Sequence, residues 1–313
     1  MRRRRFFAWG LGVAACAAGC GTEHVNVGAL RTRFSINPGA QRWARVCRAF
    51  SGAARAAGYE TGTGTKITVT GLPALAAAEL NNGQTLADTA TPLSRLTGDV
   101  EVVVVPGNSL FKDFDDFGAH LLAHPGQTLL AGGPQGEPDH LLFGLIAKGL
   151  GADTRQVDYT GYPSSQEAVT ALLSGKAAAA AGLFSDWRAS IGDGRVRALA
   201  VSSAARVPDL DVPTLLESGV RVDFADWVAA VGPDAMTDDS REVAIRMCEE
   251  VTGSPGWQSA CRANGWISIP LSGDDFEAWL GTEVERTRAV LRDLGLLDTT
   301  RATRCGIGCG NGH

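Results

Sequence analysis

The chain has 313 residues, of which 44% are hydrophobic and 20% are charged, a composition typical of a globular protein with about two domains. Its formal net charge of −5 argues against nucleic-acid binding, since proteins that contact phosphates need a basic surface. An acidic chain that binds an anion must also hold it with a local set of donors, because the overall field is repulsive.

Residues 1–19 are expected to form a signal peptide. Arg2–Arg5 supply a positively charged region, residues 6–18 an apolar region, and Gly19-Cys20-Gly21 a small-residue cleavage site. The apolar region is too short for a permanent membrane span. The arginines also fit a twin-arginine signal, so the general secretory route and the twin-arginine route both stay open. Loss of the four arginines would lower the net charge from −5 to −9.

The cleavage site resembles the lipobox of bacterial lipoproteins, in which the new N-terminal cysteine is acylated. Cys20 is the expected lipidation site, and Cys16 in Val13–Cys16 is the competing one. An acyl chain would anchor the exported protein to the outer face of the cytoplasmic membrane. A leader that is not cleaved, or a plainly secreted protein, is the alternative.

Five cysteines follow Cys20. They are Cys47, Cys248, Cys261, Cys305 and Cys309. An exported protein meets an oxidising compartment, so the best disulfide candidates are Cys248–Cys261 and Cys305–Cys309, which would leave Cys47 unpaired. With His313, the Gly/Cys-rich tail 299–313 faintly resembles a metal site, but three ligands on a terminus form a weak set and no metal is expected.

Beyond the leader, strands and helices alternate along the chain. Strands are predicted over 30–36, 66–70, 101–105, 128–131, 156–159, 177–183, 196–201 and 223–231. Helices are predicted over 42–57, 72–81, 113–123, 139–148, 166–173, 184–191, 239–252, 255–264 and 274–294. This alternation predicts an α/β fold with a mostly parallel sheet.

The segment Thr128–Lys148 is the candidate binding element. It predicts a short strand, a turn containing Gly132, Gly133 and Gly136, and then a helix. A glycine loop at a helix N-terminus is suited to anion binding, because free N–H donors and the helix dipole both face the anion. Asp139 at the helix start can accept from the same N–H groups. A plain strand-to-helix turn stays the alternative interpretation.

The segment Val196–Gly219 contains Arg-Ala-Leu-Ala-Val followed by Val-Pro-Thr. It resembles the signature of substrate-binding proteins of tripartite tricarboxylate transporters, the TctC or Bug family. Thr91–Thr97, Glu101–Ser109 and Asp139-His140-Leu141 resemble other segments of the same family. The resemblance covers roughly residues 30–294 and is dense from Thr91 onward.

The resemblance implies a type II periplasmic-binding fold, in which two α/β lobes joined by two crossing strands enclose a carboxylate. Lobe 1 is expected to comprise 20–105 together with 226–298, and lobe 2 to comprise 106–225. The first crossing is expected near Val105 and the return near Asp226-Trp227. This position agrees with the rule that ligands bind at the carboxyl ends of strands in open α/β sheets.

The resemblance also implies a ligand site between two opposed strand–helix loops. The candidate residues are Pro38, Gly39, Ala40, Gln41 and Arg42 in the first loop, Gly132, Gly133, Pro134, Gln135, Gly136, Asp139 and His140 in the second, and Tyr162, Ser185, Asp186 and Trp227 beside them. The first loop lacks the Gly-Gly run and the following Asp of the family. Arg42 is expected to replace them with a forked, charge-assisted contact to the ligand.

The implied function is that of an extracytoplasmic solute-binding protein. As a monomer without a cofactor, it would deliver a small organic di- or tricarboxylate to the membrane subunits of a tripartite tricarboxylate transporter. The shortened loops of the first lobe leave open a copy that binds poorly, and a ligand-sensing co-receptor for a membrane sensor kinase is a further alternative.

An enzyme is not expected from the sequence. It contains no Gly-x-Ser-x-Gly elbow, no His-Glu-x-x-His zinc motif and no P-loop. Asp139-His140 is the candidate acid–base pair, but a histidine at a helix start is more often a polar contact or a cap.

Overall fold

The computed structural model describes residues 33–297 except 82 and 209, and two β-sheets organise that part of the chain. The strands are β1 (Arg33–Pro38), β2 (Glu60–Thr61), β3 (Thr65–Gly71), β4 (Ala90–Asp99), β5 (Glu101–Pro106), β6 (Leu130–Gly132), β7 (Tyr159–Gly161), β8 (Ala179–Leu183), β9 (Val196–Val201), β10 (Asp226–Pro233) and β11 (Ile267–Ser272). The helices are α1 (Ala44–Ala56), α2 (Leu72–Leu80), α3 (Leu86–Thr89), α4 (Phe114–Ala123), α5 (Pro138–Leu150), α6 (Ser165–Leu173), α7 (Phe184–Gly192), α8 (Asp238–Gly253), α9 (Pro255–Asn264) and α10 (Gly273–Asp293). The predicted signal peptide, Cys16, Cys20, Cys305, Cys309 and the tail lie outside the described residues.

Local sequence explains where several helices begin and end. The carboxylate of Asp113 accepts from the N–H of Asp116 at 2.9 Å and starts α4. The Ser164 and Ser254 hydroxyls do the same for α6 and α9. Gly151 and Gly265 end α5 and α9 in the left-handed conformation that glycine adopts without strain.

The two sheets are mixed, which corrects the predicted mostly parallel sheet. The first has the order β11-β4-β10-β3-β1-β2, and the second has the order β7-β6-β8-β5-β9. In the first, β10 runs antiparallel to β3 and β4; in the second, β5 runs antiparallel to β8 and β9. The two strands that enter a sheet from the other sheet, β10 and β5, therefore run antiparallel to their neighbours in that sheet.

The chain passes from the first sheet to the second at Val100, between β4 and β5, before the expected Val105. It returns to the first sheet at Asp226, where β10 begins. The expected α/β fold class with two sheets is confirmed, whereas the lobe boundaries given above stay a prediction.

Sequence periodicity missed β4 and β11. Pro92, Arg95 and Gly98 interrupt the apolar pattern of β4, yet this strand pairs on both sides and is almost wholly buried. The strand expected over 156–159 begins only at Tyr159, because a 3₁₀ turn over Thr154–Gln156 precedes it.

The cysteines near the first sheet lie in its hydrophobic core. Cys47, Cys248 and Cys261 are buried free thiols, packed with residues such as Phe50 and Trp257. The predicted Cys248–Cys261 disulfide is therefore not formed, and each thiol fills core space as a small apolar group. Burial raises the pKa of the Cys248 and Cys261 thiols, which keeps them protonated.

A second core cluster connects the two sheets. Side chains of α2 and α10, including Leu75 and Phe276, belong to the same cluster as Phe117 of α4 and Phe143 of α5. Within the described ranges no helix is long and apolar enough to cross a membrane.

Candidate functional site

A cavity of about 320 Å³ lies between elements of the two sheets. Its wall on the first-sheet side comes from the start of α1, the end of β4 and the start of β10, and its wall on the second-sheet side from the end of β8 and the start of α7. A smaller cavity of about 110 Å³ shares Arg42, Leu183, Asp186 and Asp226 with it and extends to the glycine loop before α5. We call the two cavities together the cleft; the larger falls at the lower end of the roughly 300–1,000 Å³ of known ligand pockets.

Arg42 and Arg45 bring positive charge to the cleft. Arg42 lies in the 3₁₀ turn between β1 and α1, and its guanidinium donates to Oε2 of Glu137 at 2.9 Å. Arg45 lies in the first turn of α1, and its guanidinium carbon stands 5.2 Å from the centre of the Trp266 ring. Both arginines line the larger cavity. The backbone N–H of Ala44 at the start of α1 donates to the Gln41 carbonyl oxygen, so the donors on this side that can bind an anion are the two guanidinium groups.

The glycine loop does not present free donors to a ligand as the sequence predicted. The Gly133 N–H donates to Oδ2 of Asp139 at 2.6 Å, and the Gly136 N–H donates to Nδ1 of His140 at 3.1 Å. The loop's own side chains thus occupy the N–H groups expected to hold a carboxylate. Burial raises the pKa of Asp139 to about 7, so this carboxyl group is partly protonated near neutral pH.

His140 supports the loop and is not positioned as an acid or base. Its ring is buried, stacks on Tyr159 with 4.1 Å between centroids, and has its pKa lowered to about 4 by burial. The neutral ring accepts the Gly136 N–H, and the Tyr159 hydroxyl donates to the Gly133 carbonyl oxygen at 2.6 Å. These contacts account for both Asp139 and His140 without any reacting group.

Acidic side chains dominate the remaining cleft surface. Asp99, Asp186 and Asp226 line the larger cavity, and Glu137 and Asp139 line the smaller one. Burial raises the pKa of Asp99 to about 7 and the pKa of Asp226 to about 8. Asp99 and Asp226 therefore titrate near neutral pH.

Glu101 lies behind the cleft at the start of β5. Its side chain is fully buried, and neither carboxyl oxygen has a hydrogen-bond partner. Burial raises its pKa, and the neighbouring charges of Asp139, Asp226 and Asp99 raise it further. The sequence analysis did not identify Asp99 and Glu101 as site residues. Acidic residues are rarely buried, and buried acids cluster at functional sites. The two acids on either side of Val100, next to an apolar strand, were therefore a usable signal.

The structure brings only some of the predicted site residues to the cleft. Those that line it are Arg42, Gly133, Pro134, Asp139, Tyr162, Ser185 and Asp186. Those that do not line it are Pro38, Gly39, Ala40, Gln41, Gly132, Gln135, Gly136, His140 and Trp227.

Asp226 is a better candidate for a ligand contact than its neighbour Trp227. Successive side chains of a strand point to opposite faces, so Asp226 and Val228 face the larger cavity while Trp227 faces away from it. Trp227 is 2% exposed and packs edge-on against Trp279, with 5.4 Å between ring centroids. It is a core residue at the return crossing.

A larger hollow of about 560 Å³ lies beside β9, away from the glycine loop. Arg197 is the charged residue of its β9 wall, and this guanidinium already donates to the carbonyl oxygens of Gly107, Ser109 and Phe111. The hollow therefore lacks the arginine donors that the cleft has.

The chain is similar in sequence and in structure to known proteins, among them a solute-binding protein. The chain is 29% identical over 203 residues to the protein BugT of Bordetella pertussis, an alignment that covers 64% of this chain and 61% of BugT. The structure is similar to a TctC solute-binding protein from Polaromonas, with a TM-score of 0.68, 16% identity, and coverage of 84% of this chain and 98% of that one. It is also similar to a protein of Rhodopseudomonas palustris solved with adipate, with a TM-score of 0.64, 17% identity, and coverage of 85% and 97%.

The model of the tripartite tricarboxylate transporter family receptor, TctC, matches residues 54–296. Receptors of this family are extracytoplasmic binding proteins rather than enzymes, which confirms the expectation that this chain is not an enzyme. Because the match spans well over half of the 313 residues, the chain belongs to the tripartite tricarboxylate transporter receptor family.

Proposed function

We propose that the protein captures a small organic carboxylate in the cleft and delivers it to the membrane subunits of a tripartite tricarboxylate transporter. The observation that carries the proposal is the presence of Arg42 and Arg45 in one cavity. A guanidinium fork is well suited to a carboxylate, because it offers two parallel N–H donors. The similar Rhodopseudomonas palustris protein was solved with a dicarboxylate, adipate, which supports this ligand class.

The location and assembly belong to the same proposal. Cleavage before Cys20 and acylation of that cysteine would anchor the protein to the outer face of the membrane, near the transporter subunits. The protein would act there as a monomer, and its two lobes, 20–105 with 226–298 and 106–225, would close on the ligand. The chain spans 61% of the length of BugT.

A copy that binds carboxylates weakly is the second candidate. It is favoured by the glycine loop, since Asp139 and His140 take the N–H groups of Gly133 and Gly136. In this case Arg42 and Arg45 would hold a carboxylate without help from the opposite wall.

A thermal-shift screen with a library of mono-, di- and tricarboxylates tests the proposal, because a ligand that binds only the native state raises the melting temperature. We expect at least one acid to raise it, and calorimetry with that acid to show loss of affinity in the Arg42→Ala and Arg45→Ala variants. A library in which no acid stabilises the protein would overturn the proposed function.

A further inference from the structure

The geometry points to a cation-binding subsite formed by Asp99 and Asp226, so that the ligand is a carboxylate that also carries an amino or guanidino group. The subsite deepens the proposed function and rests on it for the carboxylate half of the ligand. The pair lines the same 320 Å³ cavity as Arg42 and Arg45.

Asp99 and Asp226 stand directly opposite each other. They are register partners in the antiparallel pair of β4 and β10. In such a pair the Cβ atoms lie roughly 4.5–5.5 Å apart, and like charges in this position destabilise the sheet. Two carboxylates at this spacing are favourable only when a proton or a cation lies between them.

Among the described residues, one oxygen of each carboxyl group in this pair lacks a hydrogen-bond donor. Asp99 is 8% exposed, and Oδ1 of Asp99 and Oδ1 of Asp226 are buried without a hydrogen-bond partner in the described part of the chain. Buried polar atoms are otherwise almost always paired, so each unpaired oxygen marks a missing donor. An ammonium group offers three N–H donors and a guanidinium five, and both lack acceptors.

The charge balance of the cleft favours the same ligand. Five carboxyl groups face the cleft, and they belong to Asp99, Asp186, Asp226, Glu137 and Asp139. Two arginines oppose them, and Arg42 is already paired with Glu137. A plain dicarboxylate would bring two further negative charges next to unpaired carboxyl oxygens, whereas an amino acid would bring one charge of each sign.

An organic cation fits better than a metal ion. Within residues 33–297, apart from 82 and 209, no group of three or more His, Cys, Asp or Glu side chains is arranged to hold a metal. The Asp99–Asp226 pair has instead the two acceptors that one amino group can bridge. Because Arg42 and Arg45 line the same cavity, one small molecule can reach both charges.

Matched pairs of probes test the inference by calorimetry with the full mature chain near neutral pH. Each pair differs only in an amino group: butyrate with 4-aminobutyrate, valerate with 5-aminovalerate, and succinate with aspartate. We expect the amino member of at least one pair to bind about tenfold or more tightly than its partner, which corresponds to about 1.4 kcal/mol.

Asp226→Asn and Asp99→Asn test the residues. Each substitution removes one carboxyl group at the subsite, and we expect it to weaken binding of the amino probe by about tenfold or more while binding of the plain acid stays equal or tightens. Asp275→Asn, at an exposed position in the first turn of α10, is the matched control and should change neither affinity. Melting curves of the variants confirm that they are folded.

The outcomes separate this inference from the proposed function. If plain acids bind as tightly as their amino partners in every pair, or if both asparagine variants retain the amino preference, the subsite is wrong and the carboxylate proposal survives. If an amine without a carboxyl group, such as butylamine, binds as tightly as 4-aminobutyrate, the carboxylate proposal fails and the subsite stands. If no probe binds, both fail.

Discussion

The guanidinium of Arg42 donates to Oε2 of Glu137 at 2.9 Å, and this ion pair joins the turn after β1 to the start of α5 across the cleft. The two side chains are 44% and 30% exposed, so the pair lies at the rim of the cleft and solvent screens it. Under the proposed function, we expect a ligand carboxylate to compete with Glu137 for Arg42, and the ion pair to lower the affinity for anions.

Substitution Glu137→Gln is expected to tighten binding of the acid found in the screen by up to about fivefold, since a partly exposed ion pair is worth about 1 kcal/mol or less. Arg42→Ala is expected to weaken it by about 1.5–3 kcal/mol, the range for hydrogen bonds to charged groups. Calorimetry gives both values.

The control for these two variants is Glu242→Gln, which removes a comparable exposed pair with Arg246 on α8, outside the cleft. It should leave the affinity unchanged. Unchanged binding in Glu137→Gln and in Arg42→Ala would contradict the role of Arg42 as a ligand donor.

The buried acids predict an unusual pH dependence of folding stability. The pKa values of Asp99 and Asp139 are raised to about 7 and that of Asp226 to about 8, mainly by burial. Unfolded aspartates titrate near pH 3.9, so the folded protein holds protons that the unfolded chain has released. The contribution of these three aspartates to folding stability is then fully present below their unfolded pKa and is lost as pH rises through their folded pKa values.

His140 limits the pH window of this test. Its pKa is lowered to about 4 by burial, so its contribution is present above the unfolded value of about 6.5 and is lost as pH falls below that value. The ionisable groups near the three acids are Arg42, Arg45, Glu101, Glu137 and Asp186. We therefore expect urea melts to show stability falling between about pH 7 and 8.5, where His140 is mostly neutral in both states.

Asp226→Asn should flatten this slope, and Asp275→Asn should not. A stability that rises with pH across this window, or that has the same slope in the Asp226→Asn variant, would show that the acids are ionised and paired in the folded protein.

The buried carboxyl group of Glu101 leads to a further prediction about how folding stability depends on pH. Burial raises the pKa of Glu101, so the folded protein must keep this carboxyl group protonated or bury its charge at high pH, and Glu101→Gln is expected to raise the free energy of unfolding there. At acid pH, where the carboxyl group is neutral in both states, the gain should disappear. Denaturant melts of Glu101→Gln and of the exposed control Glu249→Gln at both pH values measure it, and a loss of stability at high pH would contradict it.

The sequence predicted every described helix except α3, and most of the strands, because their signals are local. The caps Asp113, Ser164 and Ser254 and the apolar spacing of each helix are read within a few residues. The family resemblance then supplied the two-sheet architecture. None of these signals depends on which strands are neighbours.

The acidic side of the cleft could not be predicted in this way. Asp99 and Asp226 are partners only because β4 and β10 pair in one register, and a pairing between distant segments is not readable from one sequence. The choice of Trp227 over Asp226 failed for a related reason, since the face of the strand is set by the sheet around it. The glycine loop was recognised, but nothing local showed that Asp139 would occupy its N–H groups.

Gly136 offers a final test of whether the two walls of the cleft act together. It has a φ of +81°, and a Cβ added there would lie 2.4 Å from Cδ1 of Leu80 on α2, across from the glycine loop. Gly151 at the end of α5 has a similar φ of +83°, but a Cβ added there meets no atom within 4 Å. Both alanine variants should lose stability, by about 1–2 kcal/mol each, because an L side chain is strained at positive φ.

Only Gly136→Ala should also weaken ligand binding, because Leu80 must move and the loop carrying Asp139 must shift with it. Calorimetry with the acid from the screen, set beside denaturant melts of both variants, separates the two effects. Equal affinities in Gly136→Ala and Gly151→Ala would mean that the contact between the loop and α2 does not shape the cleft. A selective loss in Gly136→Ala would show that the glycine is required for the fit between the two walls as well as for the turn.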